Sequence, residues 1–198
     1  MEKKEELESL KNYGVRIGAP TRNAFLKEFV FNRVAGKFTI FNLRSISERI
    51  RLASNLITQY ERKEIFLFCA RDQAYYGVYN FSKFLKINVA LGTYPAGLMT
   101  NYNNKSYLEP KLVIVTNPGM SKNVLLDAFK INSTVIGIVN SDERIDYLDL
   151  IIPGNNKSGR SISSILYWIA YYVSRNKQEE KEIFDKINIE DFITKEIF

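Results

Sequence analysis

The fold of this chain is decided by residues 148–175, which read LDLIIPGNNKSGRSISSILYWIAYYVSR. A short apolar run is followed by a polar loop containing Pro153, Gly154 and Gly159, and then by a long apolar segment with helical periodicity. This pattern predicts a buried strand, its loop and a following helix. The loop is a candidate for binding a small molecule, for catalysis or for contact with a larger partner.

The upstream sequence repeats this alternation of apolar runs and helical segments. Strands are predicted at 64–70, 87–91, 111–116 and 134–139, helices at 73–85 and 121–130, and a long loop at 92–110. The first of these strands is fully apolar at its centre, which is typical of a strand covered on both faces. Successive βαβ units with right-handed crossovers therefore predict an α/β fold with a doubly wound (Rossmann- or flavodoxin-like), mostly parallel sheet flanked by helices.

The N-terminal region differs from this core. Helix formers predict a first helix that ends at Gly14. Short strands are predicted at 29–31 and 38–42, because both stretches are rich in aromatic and β-branched residues. A longer amphipathic helix follows, with Ser45 or Ser47 as its predicted cap.

The chain is predicted to form one domain with an appendage. Its length of 198 residues suits a single core. After residue 175 the composition becomes charged, with four basic and seven acidic residues. We therefore expect a single α/β domain over residues 1–175, with an N-terminal helix and basic loop at 1–37, and a peripheral, charged helical tail over 176–198.

Positive charge is concentrated in one part of the chain. The net charge is +6, but residues 1–99 carry +7 and residues 100–198 carry −1. Residues 11–51 hold nine cations against Glu28 and Glu48. Such a block is typical of a polyanion-binding surface, with a solvated basic face as the alternative. The nine cations are Lys11, Arg16, Arg22, Lys27, Arg33, Lys37, Arg44, Arg49 and Arg51.

The residues that usually support catalysis are scarce. The chain has no histidine, and its single cysteine, Cys69, lies in an apolar run that predicts a packed core thiol in a reducing compartment. Asp72, Asp142 and Asp149 could supply paired carboxylates, but Asp72 and Asp142 lie at loop positions where aspartate often acts as a cap. We therefore expect no catalytic residue, no metal site and no cofactor.

No membrane association is expected either. The start of the chain is charged and shows no signal peptide. The longest apolar run, residues 165–173, is too short to span a bilayer. These features predict a cytoplasmic protein without a membrane partner.

The loop at 154–161 keeps a second function open. It lacks the spacing of the common glycine-rich phosphate motifs. A helix start follows it, however, and helix N-termini bind anions readily. With Lys157, Arg160 and Ser161 nearby, the alternative is a doubly wound binding protein or enzyme for a phosphorylated metabolite. Lys157 and Arg160 are also candidates for a second polyanion-binding patch.

An aromatic cluster follows on the predicted last helix. Tyr167, Trp168, Tyr171 and Tyr172 recur at helical spacing, which favours a core or a protein interface over a base-stacking platform. These four residues are the candidate protein interface. A third alternative is accordingly a protein-binding adaptor that acts through this helix and the acidic tail.

Several motifs occur in the order in which one protein family has them. Residues 149–157, DLIIPGNNK, followed by Ser161, are similar to its Val-Ile-Pro-x-Asn-Asn-Lys-Gly-Arg-Lys-Ser, and residues 13–18 to its Gly-Val-His-Ile-Gly. Further matches are Phe31, Arg33 and Gly36, Glu48-Arg49-Ile50-Arg51, Ala70-Arg71, residues 94–101 and residues 109–118. Over residues 7–175 the chain resembles the small-subunit ribosomal protein S2 family. The resemblance is to the archaeal and eukaryotic cytosolic branch, which includes the laminin-receptor precursor protein.

Four positions depart from the family pattern. Arg16 replaces a histidine, Asn117 an aspartate, residues 158–160 a Gly-Arg-Lys and residues 132–134 a Gly-Ile-Pro. These departures affect individual contacts and leave the expected fold unchanged.

The resemblance implies a structural, non-enzymatic protein of the small ribosomal subunit that supports subunit assembly and translation. Its implied partners are small-subunit ribosomal RNA (rRNA) and neighbouring ribosomal proteins, with no small-molecule substrate. The basic block agrees with this role. The candidate RNA-binding residues are its nine cations together with Lys157 and Arg160.

Overall fold

The computed structural model describes residues 2–21, 23–34, 37–176, 184 and 187–193, without the side chains of residues 2, 3 and 33. The helices and strands are α1 (Glu2–Asn12), β1 (Ile17–Gly18), β2 (Val30–Val34), β3 (Phe38–Phe41), α2 (Leu43–Thr58), β4 (Ile65–Cys69), α3 (Tyr75–Leu85), β5 (Asn88–Leu91), β6 (Leu112–Val115), α4 (Lys122–Lys130), β7 (Thr134–Val139), β8 (Leu150–Pro153), α5 (Gly159–Asn176) and α6 (Ile189–Ile193). Short 3-10 helices lie at Ala24–Phe29, Arg62–Glu64, Asp72–Ala74 and Pro118–Met120.

A five-stranded parallel sheet forms the centre of the fold. Its strand order is β5-β4-β6-β7-β8, and every neighbouring pair is parallel. The chain first moves outward from β4 to β5 and then returns to the other side of β4, so the winding direction reverses between β4 and β6. The predicted doubly wound α/β fold is confirmed.

The two faces of this sheet are covered unequally. Ile65, Leu67 and Cys69 of β4 belong to a core that includes residues of α1, α2, α3 and α5. Phe66 and Phe68 point to the other face, where they pack with residues of α4 and of the long loop 92–110. Because both faces are covered, the strand is apolar throughout rather than alternating.

A second, antiparallel sheet of three strands lies in the N-terminal region. Its order is β1-β3-β2, with Ile17 opposite Ile40 and Arg33 opposite Thr39. The sequence predicts β2 and β3 as strands, but it does not predict their pairing with each other or the existence of β1. Two residues of β1 are too few to produce a recognisable periodicity.

The cap of α2 differs from the prediction. Asn42, rather than Ser45 or Ser47, precedes the helix, and its side-chain oxygen accepts a hydrogen bond from the Arg44 backbone N–H at 3.0 Å. Ser47 is 1% exposed and faces the core. The helix starts earlier than predicted because Asn42 ends β3 directly and satisfies the first free backbone donor.

Two glycines allow α3 and α5 to approach each other closely. A Cβ atom on Gly159 would lie 1.9 Å from the backbone oxygen of Gln73, and one on Gly77 would lie 2.0 Å from Ser163 Oγ. The glycine at the end of the 154–161 loop is therefore required by helix packing. The start of α5 is correspondingly covered by the turn that leads into α3.

The described part of the predicted tail packs onto the helices. Phe184 and Phe192 are each 2% exposed and belong to the main core. The ring of Phe184 lies 5.1 Å from that of Phe84, and the ring of Phe192 lies 5.4 Å from that of Tyr167. The remaining residues after 176 lie outside the described residues, so the boundary at residue 175 stays a prediction.

Replacing Gly159 with alanine should destabilise the protein strongly, because the added Cβ would overlap the Gln73 carbonyl. We expect the free energy of unfolding to fall by about 3 kcal/mol, the upper range for overpacking. The matched control is Gly154→Ala in the same loop, where the Cβ would meet the end of the Ile165 side chain at 3.1 Å. Urea denaturation measures both, and equal losses in the two variants would contradict the packing explanation.

Candidate nucleic-acid interface

The basic block at residues 11–51 forms one structural unit. It comprises the end of α1, the three-stranded sheet and the first half of α2. In this unit α1 packs against α2 and α5, and α2 packs against α5 and β8. The block is therefore held against α5 and the edge strand β8 of the parallel sheet.

Of the seven cations in this unit whose side chains the structure describes, four are exposed to solvent, and Arg16 is half-buried. Arg44 lies in the first turn of α2, where a positive charge opposes the helix dipole. Helix stability therefore does not explain why an arginine is found at this position. Arg22 and the side chain of Arg33 lie outside the described residues. The exposed cations are Lys11, Lys27, Lys37 and Arg44.

Arg49 is partly engaged within the unit. Its guanidinium lies 4.0 Å from Glu28 Oε1 and stacks over the ring of Phe29 at 4.9 Å from the centroid. One third of the side chain remains exposed. Arg49 thus holds the 3-10 helix against α2 while it keeps part of its charge at the surface.

Arg51 has an internal role. Its guanidinium donates hydrogen bonds to Glu6 Oε2 at 3.2 Å and to Tyr172 Oη at 2.9 Å, and Tyr172 Oη donates to the same Glu6 oxygen at 2.6 Å. Glu6 is fully buried. Burial, and then the hydrogen bond to Glu6, raise the pKa of the Tyr172 phenol. This triad joins α1, α2 and α5, so Arg51 stabilises the unit from inside.

The second predicted patch is less open than the sequence indicates. Lys157 Nζ lies 2.7 Å from Asp142 Oδ2 in an ion pair. Arg160 is exposed on the first turn of α5. The structure therefore leaves the charge of Lys157 partly neutralised and that of Arg160 at the surface.

The aromatic residues predicted as a protein interface make contacts within the chain. Trp168 is 7% exposed, and its indole N–H donates to Ser9 Oγ of α1 at 3.3 Å. Tyr167 and Tyr171 pack against Phe184, and Tyr172 belongs to the triad with Arg51. Trp168 is thus buried, whereas Tyr167, Tyr171 and Tyr172 are partly exposed, and their role in a protein interface stays a prediction.

Asparagine side chains fill the carboxyl edge of the parallel sheet. In doubly wound folds this edge forms the crevice where ligands usually bind. Here Asn117 Nδ2 donates to the Asn156 carbonyl at 2.7 Å, and Asn156 Nδ2 donates to the Ile138 carbonyl at 2.9 Å. Asn140 Oδ1 accepts from the Ala19 N–H at 3.0 Å. All three asparagines are at most 1% exposed.

Glu143 closes this network from the loop after β7. Its Oε2 accepts from the Asn140 backbone N–H at 3.0 Å and from Asn156 Nδ2 at 2.5 Å. Burial raises the pKa of this carboxyl group above its usual range, against the opposing effect of these hydrogen bonds. The Glu143 side chain therefore has a structural role, because it links the loop after β7 to Asn156.

The other carboxylates considered for catalysis have structural partners. Asp72 accepts from the Gln73 N–H at 2.8 Å, and Asp149 accepts from the Val135 N–H at 2.7 Å.

Burial raises the pKa of the Cys69 thiol. Among the described residues, no group of three metal-ligating side chains comes together. None of the helices in that part of the chain is long and apolar enough to cross a membrane.

Two exposed aromatic residues in the basic unit were missed from the sequence. Phe25 is 72% exposed and Phe31 is 76% exposed. The sequence interpretation treated Phe31 only as part of a strand and as a family match. Both rings lie among the cations of residues 22–37 in the sequence, and this pattern could have identified them as candidate nucleic-acid contacts.

A model of the family described as Ribosomal protein S2 matches residues 103–175. The Small ribosomal subunit protein uS2 of Nanoarchaeum equitans is 33% identical, over 92% of this chain and 91% of its own length. The protein of the same name from Saccharolobus solfataricus is 32% identical over 78% and 67% of the two chains, and that from Pyrobaculum calidifontis 31% over 88% and 85%. These relatives extend the similarity well beyond the family-model match.

Replacing Arg51 with alanine should destabilise the protein, because Glu6 would keep its burial and lose its cation. Breaking such a pair costs about 3 kcal/mol of the free energy of unfolding. The control is Arg44→Ala, an exposed cation whose loss should change this free energy by less than about 0.5 kcal/mol. Thermal and urea denaturation measure both variants. Equal effects would contradict the division between internal and outward cations.

Glu143 should make stability depend on pH. Its folded-state pKa is raised, so the folded protein binds the proton more tightly than the unfolded chain does. The free energy of unfolding should therefore fall as the pH rises from about 4 through that raised value. In Glu143→Gln this contribution disappears, so the wild type should lose stability relative to the variant over that range. A difference that stays constant or grows with pH in urea titrations would contradict this assignment.

Proposed function

The chain belongs to the Ribosomal protein S2 family, and on this premise we propose that it is a structural, non-enzymatic constituent of the small ribosomal subunit. Its relatives carry the name of a small-subunit protein. The chain covers nine tenths of the length of the first of them, so the proposal applies to the whole described fold. The protein then works in the cytoplasm as part of the ribonucleoprotein that carries out translation.

Within the subunit the basic unit binds rRNA. The observation that carries this assignment is the outward position of Lys11, Lys27, Lys37 and Arg44 on one unit of the fold. Phosphate contacts dominate the affinity of such surfaces, and they position the protein without reading sequence. Arg160 provides an additional cation, while Arg51 supports the unit internally.

The filled carboxyl edge argues against the alternative of a metabolite-binding protein. Asn117, Asn140 and Asn156 follow β6, β7 and β8 and fill that edge, and Asn117 borders the reversal between β4 and β6 where such folds usually hold a ligand. The partners are accordingly rRNA and neighbouring ribosomal proteins. Residues 1–175 act as the α/β domain in this assembly, and residues 176–198 as its tail.

Charge reversal on the basic unit should weaken binding to small subunits depleted of this protein. In Lys27→Glu/Lys37→Glu/Arg44→Glu, we expect co-sedimentation at about 0.15 M salt to be largely lost. The dependence of log affinity on log salt should become shallower by about two units, since each phosphate contact contributes about 0.7 to 0.9.

The matched control reverses three exposed lysines outside the basic unit, in Lys83→Glu/Lys105→Glu/Lys122→Glu. Both triple variants change the net charge equally, so general electrostatic attraction affects them alike. Equal losses would contradict the assignment of the site. A wild-type protein that stays in the supernatant at low salt would contradict the ribosomal role itself.

A further inference from the structure

Phe31 is unusually exposed for a phenylalanine. Its 76% exposure and the 72% of Phe25 exceed those of every other phenylalanine in the described residues. Burying a phenylalanine side chain contributes about 1.5–3 kcal/mol to folding. Because both rings are mostly exposed, neither contributes much of this free energy to folding. Both rings lie within seven residues of chain, so their exposure is a local property of the basic unit.

A β-bulge at Phe31 accounts for this exposure. On β3, Phe41 pairs with Val30 and the adjacent Ile40 pairs with Asn32, so Phe31 is an extra residue without a partner in the register. β2 is also an edge strand of its sheet. Bulges bend a strand and redirect a side chain, and they are frequent beside functional sites. The backbone itself therefore holds this ring away from the core.

The charges around the two rings favour a polyanion over an apolar protein surface. Lys27 and Lys37, on either side of Phe31 in the sequence, are exposed. Glu28 is the one carboxylate between residues 22 and 44, and it faces Arg49 at 4.0 Å. Aromatic rings set among cations match a nucleic-acid strand, which presents phosphates and base faces together.

We propose that Phe31 stacks on an unpaired base of the rRNA, with Phe25 as a neighbouring contact, while the surrounding cations bind the phosphates. This inference rests on the proposed function and specifies how the same unit recognises its RNA. Bases inside an A-form helix are stacked on each other, so an aromatic side chain reaches bases mainly in loops and bulges. The RNA element at this site is thus single-stranded or bulged.

The test compares Phe31→Ala, Phe31→Leu and Phe31→Tyr in binding to small subunits depleted of this protein. Alanine should weaken affinity by about 5- to 150-fold, the range expected for a lost base–aromatic stack. Leucine keeps an apolar side chain without a π-face and should lose most of the same affinity, whereas tyrosine should bind as the wild type does. The salt dependence should stay unchanged in all three, because no charge is altered.

The control is Phe129→Leu, which changes a 64% exposed ring outside the basic unit and should not affect binding. Ultraviolet cross-linking of the wild-type complex, read by mass spectrometry, should join Phe31 to a nucleotide. Wild-type affinity in Phe31→Leu, or a cross-link to a ribosomal protein, would overturn the stacking proposal. These results would leave the proposed function intact as long as the triple variant of Lys27, Lys37 and Arg44 still binds weakly.

Discussion

The fold depends on the hydrogen bonds that close the carboxyl edge of the parallel sheet. Asn156 reaches back to the Ile138 carbonyl of β7, Asn117 holds the Asn156 carbonyl, and Asn140 holds the N–H of Ala19 in the N-terminal unit. Each bond satisfies a buried backbone group that would otherwise cost about 1–3 kcal/mol. The same bonds fill the carboxyl edge beside β6, β7 and β8, where loops of such sheets could otherwise surround a ligand. Among these amide side chains, that of Asn140 attaches the basic unit to the edge.

This attachment also determines which cations are available to RNA. The unit is fixed at a second point, where Glu6, Arg51 and Tyr172 join α1, α2 and α5. Arg51 takes part in this second attachment and stabilises the chain, whereas Arg44, two residues after the cap of α2, is exposed to solvent. A count of charges from the sequence cannot separate these two roles, because the division arises from tertiary packing.

The predictable part of the structure is the part that local patterns determine. The apolar centre of residues 64–70 predicted a strand covered on both faces, and residues 148–175 predicted β8, its loop and α5. The three-stranded sheet was not predicted. The two residues of β1 are too few to show a periodicity, and the residues of β2 and β3 do not indicate that these strands pair with each other. The aromatic residues of α5 were assigned to an interface because periodicity identifies an apolar helix face. Periodicity does not identify the residues that cover this face. One covering residue, Ser9, is 159 positions from Trp168 in the sequence, and another, Phe184, lies beyond the end of the helix.

A structural RNA-binding protein must also bind in a single register, and this requirement gives the exposed ring its importance. Cations alone attract any phosphate backbone and leave the position along it undefined. An aromatic side chain that reaches an unpaired base adds a contact that only certain places on a folded RNA can provide. The ring must be held rigidly to act in this way. The bulge in β2 sets the direction of Phe31, and the hydrogen bond between Ala19, directly after β1, and Asn140 joins this sheet to the core.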